Sequence, residues 1–326
     1  MTYKVQLLPD LASYFRDPNH LLFRYVVKDT SDLLVPSEIL ENHNSVTILH
    51  DFEKYVDDIR DLQVFEDDIW IISYPKSGST WAQEAVWQIM HDIDIENEAG
   101  KAPLNTRIGF LELSALVELP NRKSSVETVK KMQRPRIIRS HLPIAFLPKE
   151  LWIVKPRIVY LMREAKETAV SWYHHYINIH NFLGQKEDFL ELFLKGNLIF
   201  GNYWDHIEQF TLLHEWYKNM KIYKFEEILT NMEKILQDLG KFLNKSLTPN
   251  ETEKLLHHLA FETMKSNPAV NGAELKPIVE AFHPGTNYTF MRRGGVDSFV
   301  EEMPPKYIWR IDEITKKRFK DLDLYQ

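Results

Sequence analysis

Residues 69–81 read Ile-Trp-Ile-Ile-Ser-Tyr-Pro-Lys-Ser-Gly-Ser-Thr-Trp, and this stretch decides the fold class. Its first four residues form a continuous apolar run, and the turn residues Pro75 and Gly78 follow it closely, so the run predicts a buried parallel strand. From Thr80 the apolar residues recur about every four positions as far as Ile93, which predicts a helix with one buried face. The stretch is therefore a P-loop-like strand–loop–helix unit.

The same alternation continues along the chain. Further strands are predicted at Arg136–Ser140, Arg157–Met162 and Lys221–Phe225, and further helices at Glu167–His180, Glu227–Leu243 and Pro304–Leu322. Strands that alternate with helices predict βαβ units and a mostly parallel sheet. We therefore expect one α/β domain over residues 1–326, with a central sheet flanked by helices. Residues 1–65 are expected to form irregular structure and short helices.

Composition excludes several classes of protein. The 326 residues carry a net charge of −7, with a pI near 6.0, which argues against a nucleic-acid-binding protein because phosphate backbones require a basic face. The chain has no cysteine, so a disulfide framework, a thiolate zinc site and a cysteine nucleophile are excluded. No signal peptide and no apolar run long enough for a membrane span are evident, so we expect a cytoplasmic protein.

The loop after the first strand has the chemistry of an oxyanion cradle. Small residues allow several backbone N–H groups to converge, Lys76 adds a positive charge, and Ser77, Ser79 and Thr80 add hydroxyl donors. An ordinary turn with a helix N-cap is the alternative. The lysine precedes Gly78, whereas a nucleoside-triphosphate P-loop has its lysine after the second glycine. The loop therefore predicts a phosphate-like or sulfate-like group that is bound without metal.

Three blocks of sequence together resemble the motifs of one known family. Tyr74–Trp81, Tyr160–His174 and Phe290–Gly294 are similar, in this order, to the 5′-phosphosulfate loop, the 3′-phosphate motif and the C-terminal phosphate loop of cytosolic sulfotransferases. The pair Asp67-Asp68 before the strand is also typical of that family. The resemblance implies transfer of a sulfuryl group from 3′-phosphoadenosine 5′-phosphosulfate (PAPS) to a small hydrophobic acceptor that bears a hydroxyl or amine. The product would be 3′-phosphoadenosine 5′-phosphate (PAP), and no metal would be needed.

The resemblance also implies a set of nucleotide-binding residues. They are Lys76, Ser77, Gly78, Ser79, Thr80, Trp81, Arg163, Ser171, Phe225, Phe261, Phe290, Met291, Arg292, Arg293 and Gly294. Arg163 and Ser171 suit a phosphate dianion, because a guanidinium and a hydroxyl form charge-assisted hydrogen bonds with it. The adjacent Arg292 and Arg293 of the third block would supply further guanidinium donors to phosphate, although such a cluster can also be a solvated basic loop. Trp81 and Phe261 resemble the residues that sandwich the adenine. Core packing is the alternative for both, and for Phe261 it explains the residue about equally well.

His141 follows the strand predicted at 136–140, so it should lie at the carboxyl edge of the sheet, where open α/β folds bind ligands. In the family, the matching segment Lys-Thr-His-Leu-Pro supplies the general base from its histidine. The resemblance therefore implies that His141 takes the acceptor proton and that Lys76 stabilises charge on the departing phosphate oxygen in an in-line displacement. Arg139 replaces the family lysine, which keeps the charge but changes its reach.

Several positions depart from the family pattern. Phe225 stands where the family usually has tyrosine, Leu259 lies where a threonine is expected, and residues 296–299 read Val-Asp-Ser-Phe instead of Gly-Asp-Trp-Lys. The dimer motif of the family is not recognisable in 301–313, so a homodimer stays an open possibility.

The acceptor pocket is defined only by its resemblance to the family. Pro75, Tyr173 and His175 match lining positions, and His175 stands where the family often has phenylalanine, which would make the pocket more polar. Residues 1–65 are expected to contribute to this pocket. Two other functions stay open: a P-loop nucleotide kinase, which magnesium-dependent ATP turnover would favour, and a non-catalytic member that binds nucleotide or a small ligand.

Overall fold

The computed structural model describes residues 3–15, 21–117, 124–320 and 322. The strands are β1 (Tyr3–Leu7), β2 (Leu22–Val27), β3 (Ser45–Leu49), β4 (Ile69–Ser73), β5 (Gly109–Phe110), β6 (Ile137–Ser140), β7 (Arg157–Met162) and β8 (Met220–Lys224). The helices are α1 (Ser37–Leu40), α2 (Val56–Arg60), α3 (Ser79–Met90), α4 (Glu98–Lys101), α5 (Leu104–Arg107), α6 (Ser125–Lys130), α7 (Leu151–Val154), α8 (Ala165–Ile179), α9 (Lys186–Leu194), α10 (Tyr203–Trp216), α11 (Phe225–Phe242), α12 (Pro249–His258), α13 (Phe261–Ser266), α14 (Lys276–Phe282), α15 (Ser298–Glu302) and α16 (Pro305–Arg318). Short 3₁₀ turns lie at Pro9–Tyr14, His50–Lys54, Leu113–Ala115, Ile144–Phe146 and Ala273–Leu275.

The central sheet has five parallel strands in the order β5-β6-β4-β7-β8. β4 lies in the middle, and its Ile69 is in register with Ile137 on one side and Arg157 on the other. The sequence-based prediction of an α/β domain with a mostly parallel central sheet is confirmed. No helix in the described part of the chain is both long and apolar enough to cross a bilayer.

β4 is buried on both faces, which explains its continuous apolar run. Trp70 and Ile72 point into a core shared with α8, α9 and α10, whereas Ile69 and Ile71 point into a second core shared with α3, α11 and α12. Because alternate side chains of a strand point to opposite faces, a strand covered by helices on both sides needs apolar side chains on both faces.

Some element boundaries differ from those that the sequence predicts. α3 ends at Met90 rather than at Ile93, because Asp92 and Ile93 adopt left-handed backbone angles (φ 52° and 59°) that no helix continues through. Phe225 is the first residue of α11 and not the last of β8. α11 itself is kinked at Asn231, whose φ of −137° is not helical.

The N-terminal segment contains predicted short helices, α1 and α2, but it also forms a sheet that was not predicted. β1, β2 and β3 form a separate three-stranded antiparallel sheet, with Tyr3 opposite Val27 and Leu22 opposite Leu49. Most of β1 is exposed, so its sequence lacks the apolar pattern that reveals a buried strand. The sheet joins three segments that are separated along the chain, and local patterns do not predict how such segments pair.

Candidate active site

Each strand of the central sheet is followed by one residue of the site. Glu112 comes after β5, His141 after β6, Lys76 after β4, Arg163 after β7 and Phe225 after β8. Because the strands are parallel, their carboxyl ends meet at one edge, and these residues meet there too. Four of the five were predicted from the sequence.

The loop between β4 and α3 is a tight turn with unpaired donors. Lys76 and Gly78 both have left-handed backbone angles, with φ of 68° and 95°. A Cβ atom at Gly78 would lie 2.5 Å from Cδ2 of Phe225, so the turn has room for glycine alone. The Ser77 hydroxyl is buried and has no hydrogen-bond partner among the described residues. Gly78, Ser79 and Thr80 of this turn line the cavity beside Lys76, so the loop fits the predicted cradle.

Lys76 lies in a strongly positive environment. Burial, together with the neighbouring Arg163, Arg139 and Arg292, lowers the pKa of its ammonium to about 7. Its Nζ is 4.1 Å from the centre of the Phe290 ring. Charge of one sign concentrated in a cleft in this way favours an anionic ligand.

Arg163 is held in place at the end of β7. Its Nη2 donates to Oε2 of Glu167 over 2.7 Å, and its guanidinium lies 4.7 Å from the centre of the Phe225 ring. The Nε donor is buried and lacks a partner among the described residues. Ser171, two turns along α8, lines the same cavity. Glu167 thus orients the guanidinium at the cavity wall.

Four residues of the third sequence block, Phe290–Arg293, line the same cavity. Arg292 forms an ion pair with Glu302, and Nη1 of Arg293 donates to Glu301 over 2.8 Å. A Cβ atom at Gly294 would lie 2.2 Å from Cγ of Phe261, so the backbone of Gly294 rests directly against that ring. Both arginines line the cavity, and each is paired with a glutamate of α15, which the sequence did not reveal.

His141 has a defined tautomer. Its Nδ1 lies 2.8 Å from the carbonyl oxygen of Ser73, which can only accept, so Nδ1 carries the proton and Nε2 keeps a lone pair. Burial, followed by the charge of Arg139, lowers the pKa of the ring to about 3. The ring lines the cavity between Phe110 and Phe200, at centroid distances of 5.7 and 5.2 Å.

Two residues that the sequence did not reveal hold the backbone of His141. Oε1 of Glu112 accepts from its N–H over 2.6 Å, and Nε2 of His206 donates to its carbonyl over 3.1 Å. Burial raises the pKa of Glu112 to about 7 and lowers that of His206 to about 3. They lie 29 and 65 positions away along the chain, beyond the range of any local motif.

A cavity of about 300 Å³ brings the predicted residues together. Its lining includes Lys76, Gly78, Ser79, Thr80, Trp81, Arg139, His141, Arg163, Ser171, Phe225, Phe261, Phe290, Met291, Arg292 and Arg293. Two of the predicted residues, Ser77 and Gly294, do not line the cavity. The unpredicted part of the wall is largely apolar and includes Phe110, Leu113, Leu116, Val117, Trp172, Ile199 and Phe200. Arg139 stacks on Phe110, with its guanidinium 3.9 Å from the ring centre, and burial lowers its pKa to about 10.

One prediction about the pocket wall was wrong. Pro75 and His175 line the cavity, but Tyr173 does not, because its ring packs against Phe189 at 5.5 Å. No described residue of 1–65 lines the cavity, but residues 16–20 lie outside the described part of the chain, so a contribution of this segment to the acceptor pocket stays a prediction. Phe15 from that segment packs against Phe182. The described residues contain no group of three or more side chains that could hold a metal ion.

The chain is similar to known proteins along most of its length. Residues 66–323 match the family model described as Sulfotransferase domain. The chain is 35% identical to mouse sulfotransferase 1B1 over 269 residues, which cover 82% of this chain and 87% of that protein. It is 33% identical to dog sulfotransferase 1B1 over 280 residues, covering 85% and 92%.

Solved structures agree with this relationship. The structure of mouse sulfotransferase SULT7A1 in complex with PAP has a TM-score of 0.66 and 26% identity, and the match covers 86% of this chain and 94% of that one. Retinol dehydratase in complex with retinol and PAP has a TM-score of 0.83 at 20% identity, covering 100% and 99%, which is a similarity of fold.

Together, the parallel sheet, the cradle and these matches define an enzyme of the sulfotransferase class. Within that class, the chain belongs to the cytosolic sulfotransferase family and is a PAPS-dependent sulfotransferase. The nucleotide kinase and the non-catalytic binder, which the sequence left open, are therefore not supported.

Proposed function

We propose that this chain transfers the sulfuryl group of PAPS to a small hydrophobic acceptor bearing a hydroxyl or amine, with His141 as the general base. The observation that best supports the proposal is the tautomer of the His141 ring. Its Nδ1–H is bound to the carbonyl of Ser73, so the nitrogen left for the cavity is the unprotonated Nε2. A base must present such a lone pair to the hydroxyl that it deprotonates.

The nucleotide would occupy the positive half of the cavity. The backbone N–H groups of 77–80 and the ammonium of Lys76 suit the 5′-phosphosulfate, whereas Arg163, Ser171 and Arg292 suit the 3′-phosphate. The positive charges of Lys76, Arg163 and Arg292, which meet at the cavity wall, support this assignment. No metal has a part in the proposed reaction, since fixed donors already surround the leaving group.

The reaction is an in-line displacement at sulfur. The acceptor oxygen forms a bond to sulfur while the bond from sulfur to the bridging phosphate oxygen breaks, and its electron pair leaves with PAP. The proton of the acceptor hydroxyl moves to Nε2 of His141. Lys76 stabilises the negative charge that grows on the departing oxygen.

The low pKa of His141 depends in part on the cations around it. Arg139 and Lys76 are among the charges that hold it near 3. Nucleotide phosphates bound beside these cations would cancel part of their effect and raise the pKa towards the range in which histidine is an efficient base.

The acceptor would fill the apolar half of the cavity. Phe110 and Phe200 flank His141, and Leu113, Leu116 and Val117 continue the wall. An apolar, aromatic wall with few polar groups is suited to a small hydrophobic molecule whose single hydroxyl or amine reaches the base.

Replacement of the proposed base tests the mechanism. His141→Ala should lower kcat about 10²- to 10⁴-fold, which is the usual contribution of general base catalysis. PAP affinity, measured by isothermal titration calorimetry, should stay within a few-fold of the wild type. His257→Ala, at an exposed histidine of α12, serves as the matched control. Retention of turnover by His141→Ala within a factor of ten would exclude His141 as the base.

Two further properties stay predictions. A cytoplasmic location is expected from the sequence, and fractionation of cells would test it. Homodimerisation is open because the usual motif is not recognisable in 301–313, and sedimentation velocity of the purified protein would decide it.

A further inference from the structure

His175 is a second histidine of the cavity wall, and the proposed mechanism does not use it. It lies on α8, one turn after Ser171. Its ring stacks on Trp172 with 5.1 Å between centroids, and it meets Phe290 edge-on at 6.3 Å. A histidine among aromatic rings at the wall of a ligand cavity is a candidate for recognition of the ligand.

The two ring nitrogens of His175 lie in different environments. Nδ1 is buried within the protein and has no hydrogen-bond partner among the described residues. Nε2 is therefore the nitrogen through which this ring meets the cavity. Burial, reinforced by the charge of Lys76, holds the pKa of the ring well below its usual value, so the ring is neutral and carries a single proton.

The position of that proton follows from the buried nitrogen. A buried N–H without an acceptor is rare in proteins, whereas an acceptor lacking one partner is tolerated better. The proton of His175 therefore belongs on Nε2, where it faces the cavity. His141 has the opposite tautomer, because its Nδ1 proton is bound to Ser73. One histidine thus offers the cavity a lone pair, and the other offers it an N–H donor.

We propose that His175 is a specificity-determining residue, which selects acceptors that carry a second oxygen as well as the hydroxyl or amine that is sulfated. This oxygen, in a carbonyl, ether or hydroxyl, accepts a hydrogen bond from Nε2–H of His175. A hydrocarbon in its place would displace solvent and leave the donor unpaired. The inference rests on the proposed function of this site.

Matched acceptors provide the test. The probes are hydroxynaphthalenes that carry an acetyl group on the far ring, each compared with a twin that carries an isopropyl group of nearly the same shape. The wild-type enzyme should prefer at least one acetyl compound over its twin by about tenfold or more in kcat/KM, mainly through KM. His175→Phe keeps the stacking on Trp172 but removes the donor, so it should abolish this preference. His175→Gln, which keeps an N–H donor, should restore part of it.

The controls separate this inference from the proposed function. His257→Phe, at an exposed histidine on α12, should retain the wild-type preference. If the wild-type enzyme transferred the sulfuryl group to none of the hydroxynaphthalenes and to no other compound of a broad acceptor screen, the proposed function itself would be refuted. Transfer without an acetyl preference, or with the same preference in His175→Phe, would overturn only the inference. A loss of PAP affinity in His175→Phe with an unchanged preference would assign the ring to the nucleotide and would also overturn it.

Discussion

Substitution of Gly78 by alanine tests how the cradle is built. The residue has a φ of 95°, and an added Cβ would lie 2.5 Å from Cδ2 of Phe225. An ordinary carbon–carbon contact is about 3.5–4.0 Å, so the ring has to move by roughly 1 Å. The left-handed backbone costs about 1–2 kcal/mol for alanine. The crowding adds about 1–3 kcal/mol, so the free energy of unfolding should fall by roughly 2–5 kcal/mol.

The displaced ring should also weaken nucleotide binding. Phe225 lies against the guanidinium of Arg163 at 4.7 Å, so movement of the ring misplaces a proposed phosphate ligand. One hydrogen bond to a charged group contributes about 1.5–3 kcal/mol, which corresponds to a roughly 10- to 100-fold loss of PAP affinity. Urea unfolding gives the first quantity, and isothermal titration calorimetry with PAP gives the second.

Gly285 provides the matched control. Its φ of 75° is also left-handed, but an added Cβ would have no neighbour within 4 Å. Gly285→Ala should therefore lose only the backbone contribution of about 1–2 kcal/mol and should bind PAP normally. Equal effects of the two substitutions on stability and on PAP affinity would refute the argument that contact with Phe225 shapes the cradle.

Three further predictions concern charged groups. Because the pKa of Lys76 is about 7, its ammonium loses its proton above that pH, and PAP affinity should fall by up to about tenfold per pH unit from pH 7 upward. Lys76→Arg, which stays charged, should remove this dependence on pH. A wild-type affinity that does not change with pH would contradict the prediction. In Glu302→Gln, Arg292 loses its ion pair, so no carboxylate competes with phosphate for this arginine, and PAP should bind more tightly by less than about tenfold. Weaker binding would mean that the carboxylate of Glu302 positions the arginine instead. Asp68→Asn leaves the buried guanidinium of Arg136 without its ion pair and should lower the free energy of unfolding in urea by about 3–5 kcal/mol. Asp67→Asn breaks an exposed pair with Arg134 and should lower it by less than about 1 kcal/mol. Similar losses in the two variants would contradict the role of burial.

The sequence determined the sheet and the position of the cradle, because both depend on local patterns. The apolar run at 69–72 predicts a strand buried on two faces, and its change to a helical period after Gly78 places a helix N-terminus at the edge of the sheet. Residues that end parallel strands must meet at one edge, so the order of strands and helices along the chain is enough to group Lys76, His141 and Arg163.

The tertiary structure decided which groups act on these residues. The carboxylate of Glu112, the imidazole of His206 and the carbonyl of Ser73 hold His141, yet they lie 29 to 68 positions away along the chain. The same holds for the antiparallel pairing of 3–7 with 22–27. Tautomers, shifted pKa values and strand pairing depend on neighbours brought together by folding, whereas periodicity and turn chemistry report only on the nearest few residues.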